Sequence, residues 1–432
     1  MSSFERRTPG SKKLFERAKK VLPGGVTYGL RALPPYPFYV KYAKGVKLHD
    51  VDGNVYTDYW VGHGALLLGH SPGKVMSAVR RQLPLGTHYG YAHELEVELA
   101  ERICGMVPSA QMVRYTNSGT EANLYAVRLA RAHTGRVRVV KMEGGWHGGY
   151  DALHVAVNYP FTKPESAGLD PKALENTAAI PFNDLDAAKN ALRKRDVACL
   201  IVEPVQGVAG FVMPEKGYLQ GLKETCAETD TLLIFDEVIT GFRLAPGGAQ
   251  EYYGVVPDIT VMGKIVGGGF PIGALAGRRD VFERIDPTKY PAAESRAAQG
   301  GTFTGNPISM VAGSATLDII RDGKVHKKIT RVGNRIRRGL RDIASRSRIP
   351  ASVTGTSTLF ALHFMEKAPR NAAEAAQGDM AATRAFWGHM LEHGIAYLSP
   401  TNCHAMLAEP HTRQDADEFL AAAEDFFRHY RK

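Results

Sequence analysis

Five short apolar runs, each set against helical patterns, constrain this chain more than any other feature. They are "MVRYTN", "RVVKME", "ACLIVEPV", "TLLIFDEV" and "DITVMG", all between about residues 90 and 310. A strand that is apolar throughout must be covered on both faces, and alternating helices supply that cover. The expectation is an α/β fold, with a mainly parallel sheet between helices. At 432 residues the chain exceeds one small core and suits a large α/β domain joined to a smaller α+β domain. The pattern divides into an N-terminal segment, 1–60, contributing to the small domain, a large domain over 61–312, and a C-terminal small domain over 313–432. A short helix is read over 11–22, ending at Pro23-Gly24-Gly25. A hairpin follows in "VKLHDVDGNVYTDYW", turning at Asp52-Gly53-Asn54. Late strands are read in "STLFALHFM" and "IAYLSP", and "NAAEAAQGDMAA" reads as a loop running into a helix. A final amphipathic helix starts at about Asp415.

Composition removes several classes. No run approaches the roughly 18 apolar residues of a membrane span, and "MSSFERRTPGSKKLFERAKK" lacks the apolar stretch of a signal peptide. The expectation is a cytoplasmic protein with no membrane partner. Cys104, Cys199, Cys226 and Cys403 are scattered without a CxxC pair, so neither a zinc site nor a disulfide framework is indicated, and no metal is expected. The net charge of +10 gathers in residues 324–348, "KVHKKITRVGNRIRRGLRDIASRSR". There Val325, Ile329, Val332, Ile336, Leu340 and Ile343 form one buried stripe, with the arginines opposite. No aromatic side chains interleave with the arginines, so a solvated helix face is expected and nucleic acid is not.

Open parallel sheets bind ligands beyond the carboxyl ends of their strands. Three polar signals fall at such ends: Glu203 in "LIVEP", Asp236-Glu237 in "LLIFDEV", and Lys264 in "DITVMGKIVGGG". If the strands are neighbours, the three converge. A lysine set between a buried strand and three glycines must find a partner or give up its charge. The strand "MVRYTN" runs into "SGTEANLYAVRLARAHTG", where Ser118 can cap a helix, Gly119 and Thr120 offer free N–H groups, and Gly135 can end the helix. Such a helix N-terminus suits phosphate, although a plain capped helix accounts for the segment equally well. "GTFTGNP", residues 301–307, is a second loop of hydroxyls and glycines. In "EGGWHGGYD", Trp146 can stack on a flat ring or simply pack, and His147 can be a base or a hydrogen-bonded structural residue.

An amine, an aspartate for a heteroaromatic nitrogen, a helix N-terminus for phosphate and an aromatic stacker together meet the needs of pyridoxal phosphate. The glycines after Lys264 are expected to leave room for it. No GxGxxG follows an early strand, which disfavours a Rossmann dehydrogenase. A non-catalytic binding protein on the same fold would have shown itself by loss of the lysine or the aspartate, and both are present.

"NSGTEA", "LLIFDEVITGFR", "VMGKIVGGGFPIGALAGR" and "GGTFTGNP", in that order, closely resemble class III aminotransferases of the fold-type I pyridoxal-phosphate superfamily. The resemblance runs from about residue 23 to the C-terminal helix. It implies Lys264 as the Schiff-base lysine and Asp236 as the partner of the ring nitrogen. It further implies Val238 and Trp146 on the two ring faces, Ser118, Gly119 and Thr120 at the phosphate, and Glu203 near the cofactor. Thr302 would reach the phosphate of a neighbouring subunit, which implies a homodimer with shared sites. Within the family, "LFERAKKVLPGGV", "RLARAHTGR", "DEVITGFR" and "GKIVGGGFP" look most like the glutamate-1-semialdehyde 2,1-aminomutase branch. That branch starts from the pyridoxamine form of the cofactor and uses an arginine, here Arg31, for the substrate carboxylate. An ordinary surface arginine is the other reading of Arg31.

Two departures fall on the substrate side. Tyr28 stands where the branch usually has serine, and His404, in "SPTNCHAM", where it has glutamate. On these residues the first reading is an aminotransferase moving an amino group between an amino acid, perhaps a β-amino acid, and a keto acid. The second is the aminomutase itself, and an amino-acid racemase or epimerase is a third. The segment 153–175, rich in Pro and Gly, reads either as a lid or as an ordered surface loop.

Overall fold

The computed structural model describes residues 3–397 and 403–431. Fourteen strands are present in chain order among these residues: β1 (Val40–Lys44), β2 (Lys47–Asp50), β3 (Val55–Asp58), β4 (Met112–Thr116), β5 (Arg138–Met142), β6 (Thr177–Ile180), β7 (Val197–Val202), β8 (Leu232–Asp236), β9 (Ile259–Gly263), β10 (Gly273–Gly277), β11 (Ser352–Thr354), β12 (Leu359–His363), β13 (Ile395–Ala396) and β14 (Cys403–Met406). Seven make the central sheet, in the order β4-β10-β9-β8-β7-β5-β6. Every residue of β7, β8 and β9 is buried, as unbroken apolar runs require when helices cover both faces.

All five strands read from the sequence are there, and two more were missed. β6, "TAAI", lies at the sheet edge beside β5 and carries only small side chains apart from Ile180. β10, "GALAG", pairs antiparallel with both β9 and β4, so the sheet is mainly parallel with one reversed strand inside it. The reversal follows from the short path between Gly263 and Gly273, which cannot hold a crossover helix.

The hairpin of β2 and β3 forms as read, and β1 extends it. β13 then adds in parallel to β3, so the two ends of the chain share one four-stranded sheet. β11, β12 and β14 make a separate antiparallel sheet. The strand read over 395–400 is described only at Ile395–Ala396, since residues 398–402 lie outside the described residues. The N-terminal helix runs Pro9–Ala18, starting and ending earlier than read because proline suits its first turn. "NAAEAAQGDMAA" forms a one-turn helix, Ala372–Ala375, before the helix Met380–Glu392. The last helix, Arg413–His429, opens on a reciprocal cap between Thr412 and Asp415.

The basic helix Lys324–Ser345 buries Ile329, Ile336, Leu340 and Ile343 as its stripe requires, with Val325 and Val332 packed beside them. One arginine departs from the solvated-face expectation. Arg337 is buried, and its Nη1 donates to the carbonyls of Ser357 (2.9 Å) and Leu359 (2.6 Å). It closes the backbone where the chain enters β12, so it acts as a fixed donor to carbonyls that would otherwise lack one.

The glycines after Lys264 also serve a purpose other than the one expected. Gly268 has φ +58°, and a Cβ there would sit 2.5 Å from the Ala312 carbonyl and 2.6 Å from Thr316 Oγ1. The space belongs to the helix Pro307–Ile320, which packs directly against the turn that carries Lys264. A Gly268→Ala variant must relieve both a left-handed backbone and a backbone clash, so it should lose at least ~2 kcal/mol of stability. The urea midpoint of the protein measures this, and an unchanged midpoint would show that the turn is not held by that helix.

Candidate active site

β9, β8 and β7 are adjacent in the sheet, and their carboxyl ends deliver Lys264, Asp236 and Glu203 side by side. Asp236 is the most firmly held. Its Oδ2 accepts from Asn123 Nδ2 (2.8 Å) and lies 2.7 Å from His147 Nδ1, while Oδ1 accepts from the Val238 amide (3.0 Å). His147 is fully enclosed, and burial pushes its pKa down despite the neighbouring carboxylate. It therefore stands behind Asp236 as an orienting partner. Sequence reasoning missed Asn123. The available signal was an asparagine, a poor former of helix interiors, set in the apolar stretch of "EANLYAV".

Glu203 accepts from the backbone amides of Trp146 (2.9 Å) and Gly207 (3.1 Å). Burial, aided by the Asp236 charge, raises its pKa to about 7. Lys264 is lowered to about 8, chiefly by burial, with Asp236 and Glu203 opposing the shift and Arg243 adding to it. No hydrogen bond engages its Nζ among the described residues. Arg243, also unforeseen, is fully buried and lowered to about 9 by desolvation. It donates to neutral oxygens of Ile239, Thr358 and Gly64. Among the described residues Arg243 has no carboxylate partner, and it acts on Lys264 as a second positive charge.

Ser118 caps the helix Gly119–Thr134, accepting from the Glu121 amide, and Gly135 ends it in the left-handed region, both as read. At Gly119 a Cβ would come within 2.9 Å of Val238 Cγ2, so only glycine lets the helix N-terminus close on Val238. A Cβ on Gly148 would fall 2.1 Å from Thr120 Oγ1, which shows how closely the Trp146 loop lies on the same N-terminus. Beneath that loop Lys141, missed in the sequence, is buried and donates to the carbonyls of Gly145, Leu153 and Val155.

These elements open on a cavity of about 680 Å³ whose wall includes Lys264, Trp146, Tyr28, Trp60, His63 and His404. Val157, Asn158, Tyr159 and Phe161 form part of the same wall, so the first part of the 153–175 segment borders the site. Glu165 pins its start by accepting from the amides of Val157 and Asn158. Of the substrate-side candidates, Tyr28 and His404 face the cavity. Arg31 is exposed, bonds Thr27 Oγ1 (3.0 Å), and lines an adjoining cavity that shares Leu30, Trp60 and His63 with the first. Thr302 is exposed and does not line the cavity of its own chain.

The residues fit pyridoxal phosphate. An amine of lowered pKa on the cavity wall and a buried carboxylate with fixed oxygens lie at adjacent strand ends, and a capped helix N-terminus closes around glycine on Val238 beside them.

Holding Lys264 near pKa 8 instead of about 10.4 carries an unfavourable contribution on the order of 3 kcal/mol in the cofactor-free protein. The folded pKa is the lower one, so this penalty is complete below pH 8 and disappears as pH rises towards the unfolded value. Lys264→Met apoprotein should therefore be more stable than the parent at pH 7, with the gap closing above about pH 10. Denaturation midpoints across that range test it. A gap independent of pH would show that lysine ionisation is not its source.

The family described as Aminotransferase class-III matches residues 29–424. The chain is 45% identical over 419 residues to a glutamate-1-semialdehyde 2,1-aminomutase of Methanothermobacter thermautotrophicus, covering 96% of this chain and 98% of that protein. Among solved structures it resembles an omega-transaminase of Sphaerobacter thermophilus (TM-score 0.92, 33% identity, 99% of each chain). It also resembles a beta-phenylalanine aminotransferase of Variovorax paradoxus (TM-score 0.89, 31% identity, 98% and 94% of the two chains). Solved neighbours hold PLP or PMP. The names of the relatives by sequence match the aminomutase reading better than the aminotransferase reading placed first. This chain belongs to the class III aminotransferases, fold-type I enzymes that work with pyridoxal phosphate.

Proposed function

We propose that this chain exchanges the amino group within glutamate-1-semialdehyde to give 5-aminolevulinate. The observation that carries the reading is the likeness to the aminomutase along nearly the whole length of both chains. Pyridoxal phosphate, when bound, supplies an aldehyde that exchanges amines and a ring that accepts electrons. Lys264 would hold the aldehyde and, as a free amine near pH 8, take and return the proton at the substrate carbon. Asp236, oriented by Asn123 and His147, would keep the ring nitrogen protonated. Ser118, Gly119 and Thr120 would receive the phosphate, and Trp146 and Val238 the ring faces. Thr302 is assigned to the phosphate of a second copy in a homodimer, and Arg31 to the substrate carboxylate.

A second reading, amino transfer from a β-amino acid to a keto acid, is favoured by one observation. Tyr28, His63, Trp60, His404 and Phe211 form a continuous run of rings, with neighbouring centroids 4.9–5.7 Å apart. Burial lowers His63 to about 4 and His404 to about 3, so at pH 7 neither ring adds a charge to this run. Among the described residues, Trp60 Nε1 and His404 Nδ1 are buried in it without partners. Such a wall suits an uncharged or aromatic side chain.

The enzyme loaded with the pyridoxamine form is given glutamate-1-semialdehyde with no amino donor or acceptor. Multiple turnovers to 5-aminolevulinate are expected. No turnover, together with amino transfer from β-amino acids, would replace the first reading with the second. Asp236→Asn should fold yet lose nearly all turnover, by at least ~100-fold. A fully active variant would remove the role given to that carboxylate. Borohydride should fix the cofactor on Lys264, read by peptide mass, and a label elsewhere would overturn the assignment.

A further inference from the structure

Three histidines converge on one carboxylate where two C-terminal helices run side by side. His389 lies in the helix Met380–Glu392, and His393 follows as its cap residue. Asp425 and His429 lie in the helix Arg413–His429. Each pair is spaced i, i+4, which puts both side chains on one helix face, and the two helices pack together. The rings of His389 and His393 have centroids 4.2 Å apart. His389 Nε2 is 3.5 Å from Asp425 Oδ2, and His429 Nδ1 is 3.0 Å from Asp425 Oδ1. One donor atom from each of His389, His393 and Asp425 lies within 4.8 Å of the other two.

The hydrogen bonds around the cluster already orient it. His393 Nδ1 bonds the His389 carbonyl (2.8 Å), which fixes a proton on Nδ1 and leaves Nε2 with its lone pair outward. Metal-ligating histidines are held in this way by a backbone carbonyl on the other ring nitrogen. His429 Nδ1 bonds the backbone carbonyl of Asp425 (3.0 Å) and lies equally near its Oδ1. His389 Nε2 also lies 3.0 Å from the Ala422 carbonyl, a contact it would exchange for an ion. Tetrahedral donors on arms of about 2.0–2.1 Å stand roughly 3.3 Å apart, close to the gap between His389 and Asp425. A shallow cavity of about 490 Å³, lined among others by His389, Glu392 and His429, gives access from solvent.

We propose that His389, His393 and Asp425 bind a divalent transition metal of the zinc or nickel class, with solvent completing the shell. Two imidazoles and a carboxylate are the donor set these ions take. The ion would join the helix after β12 to the C-terminal helix and stabilise the fold by linkage.

The test titrates zinc chloride into chelator-treated, cofactor-loaded enzyme, followed by calorimetry and thermal unfolding. One saturable equivalent per chain and a raised Tm are expected. His393 is exposed, so His393→Ala should fold normally while weakening zinc about tenfold or more, and Asp425→Asn should do the same. His88→Ala, at an exposed histidine elsewhere, should change nothing. Absence of a saturable equivalent, or affinity that survives both His393→Ala and Asp425→Asn, would overturn the site.

Discussion

A carboxylate taken out of water must have its oxygens engaged, and the centre of this protein is arranged around meeting that demand at Asp236. A buried carboxylate left unpaired would cost several kcal/mol or take up a proton. Here the donors come from the helix after β4, from the Trp146 loop and from the turn after β8. Three separate elements are thereby fixed relative to one strand end. Lys141 extends the constraint, since its ammonium gathers three carbonyls beneath the same loop.

The ionisation of the neighbours follows from that fixed charge. Asp236 helps push Glu203 up towards 7 and limits how far burial pulls Lys264 down. Burial thus disfavours the charged form of both groups, the acid and the amine. Arg243, buried without a carboxylate, adds a fixed positive field that favours the free amine at Lys264.

The catalytic half of the site was legible because its residues sit at the ends of strands that announce themselves by unbroken apolar runs. Glu203, Asp236 and Lys264 needed only the adjacency of β7, β8 and β9 to meet. Ser118 and Gly135 were legible because caps follow local rules. Asn123, Trp60, His63 and Arg243 were not, since each is placed by a tertiary contact that leaves no periodic trace. Gly268 was misread for a related reason: sequence shows that a side chain is missing but not what fills its space, which at this position is the helix Pro307–Ile320. β10 escaped because "GALAG" has no large side chain to mark it as a strand. The metal cluster escaped because its ligands come from two helices and share no local motif.

The parallel pairing of β3 with β13 sets the order in which the active site is finished during synthesis. Lys264 and both carboxylates belong to the middle of the chain. Tyr28, Trp60 and His63 come from its beginning, and His404 from near its end. The Met406 amide bonds the Tyr59 carbonyl, and the Tyr59 amide bonds the carbonyl of Ala396, so the first-made wall waits for the last-made strands. A nascent chain can hold its reactive amine long before it has a closed chamber to use it in.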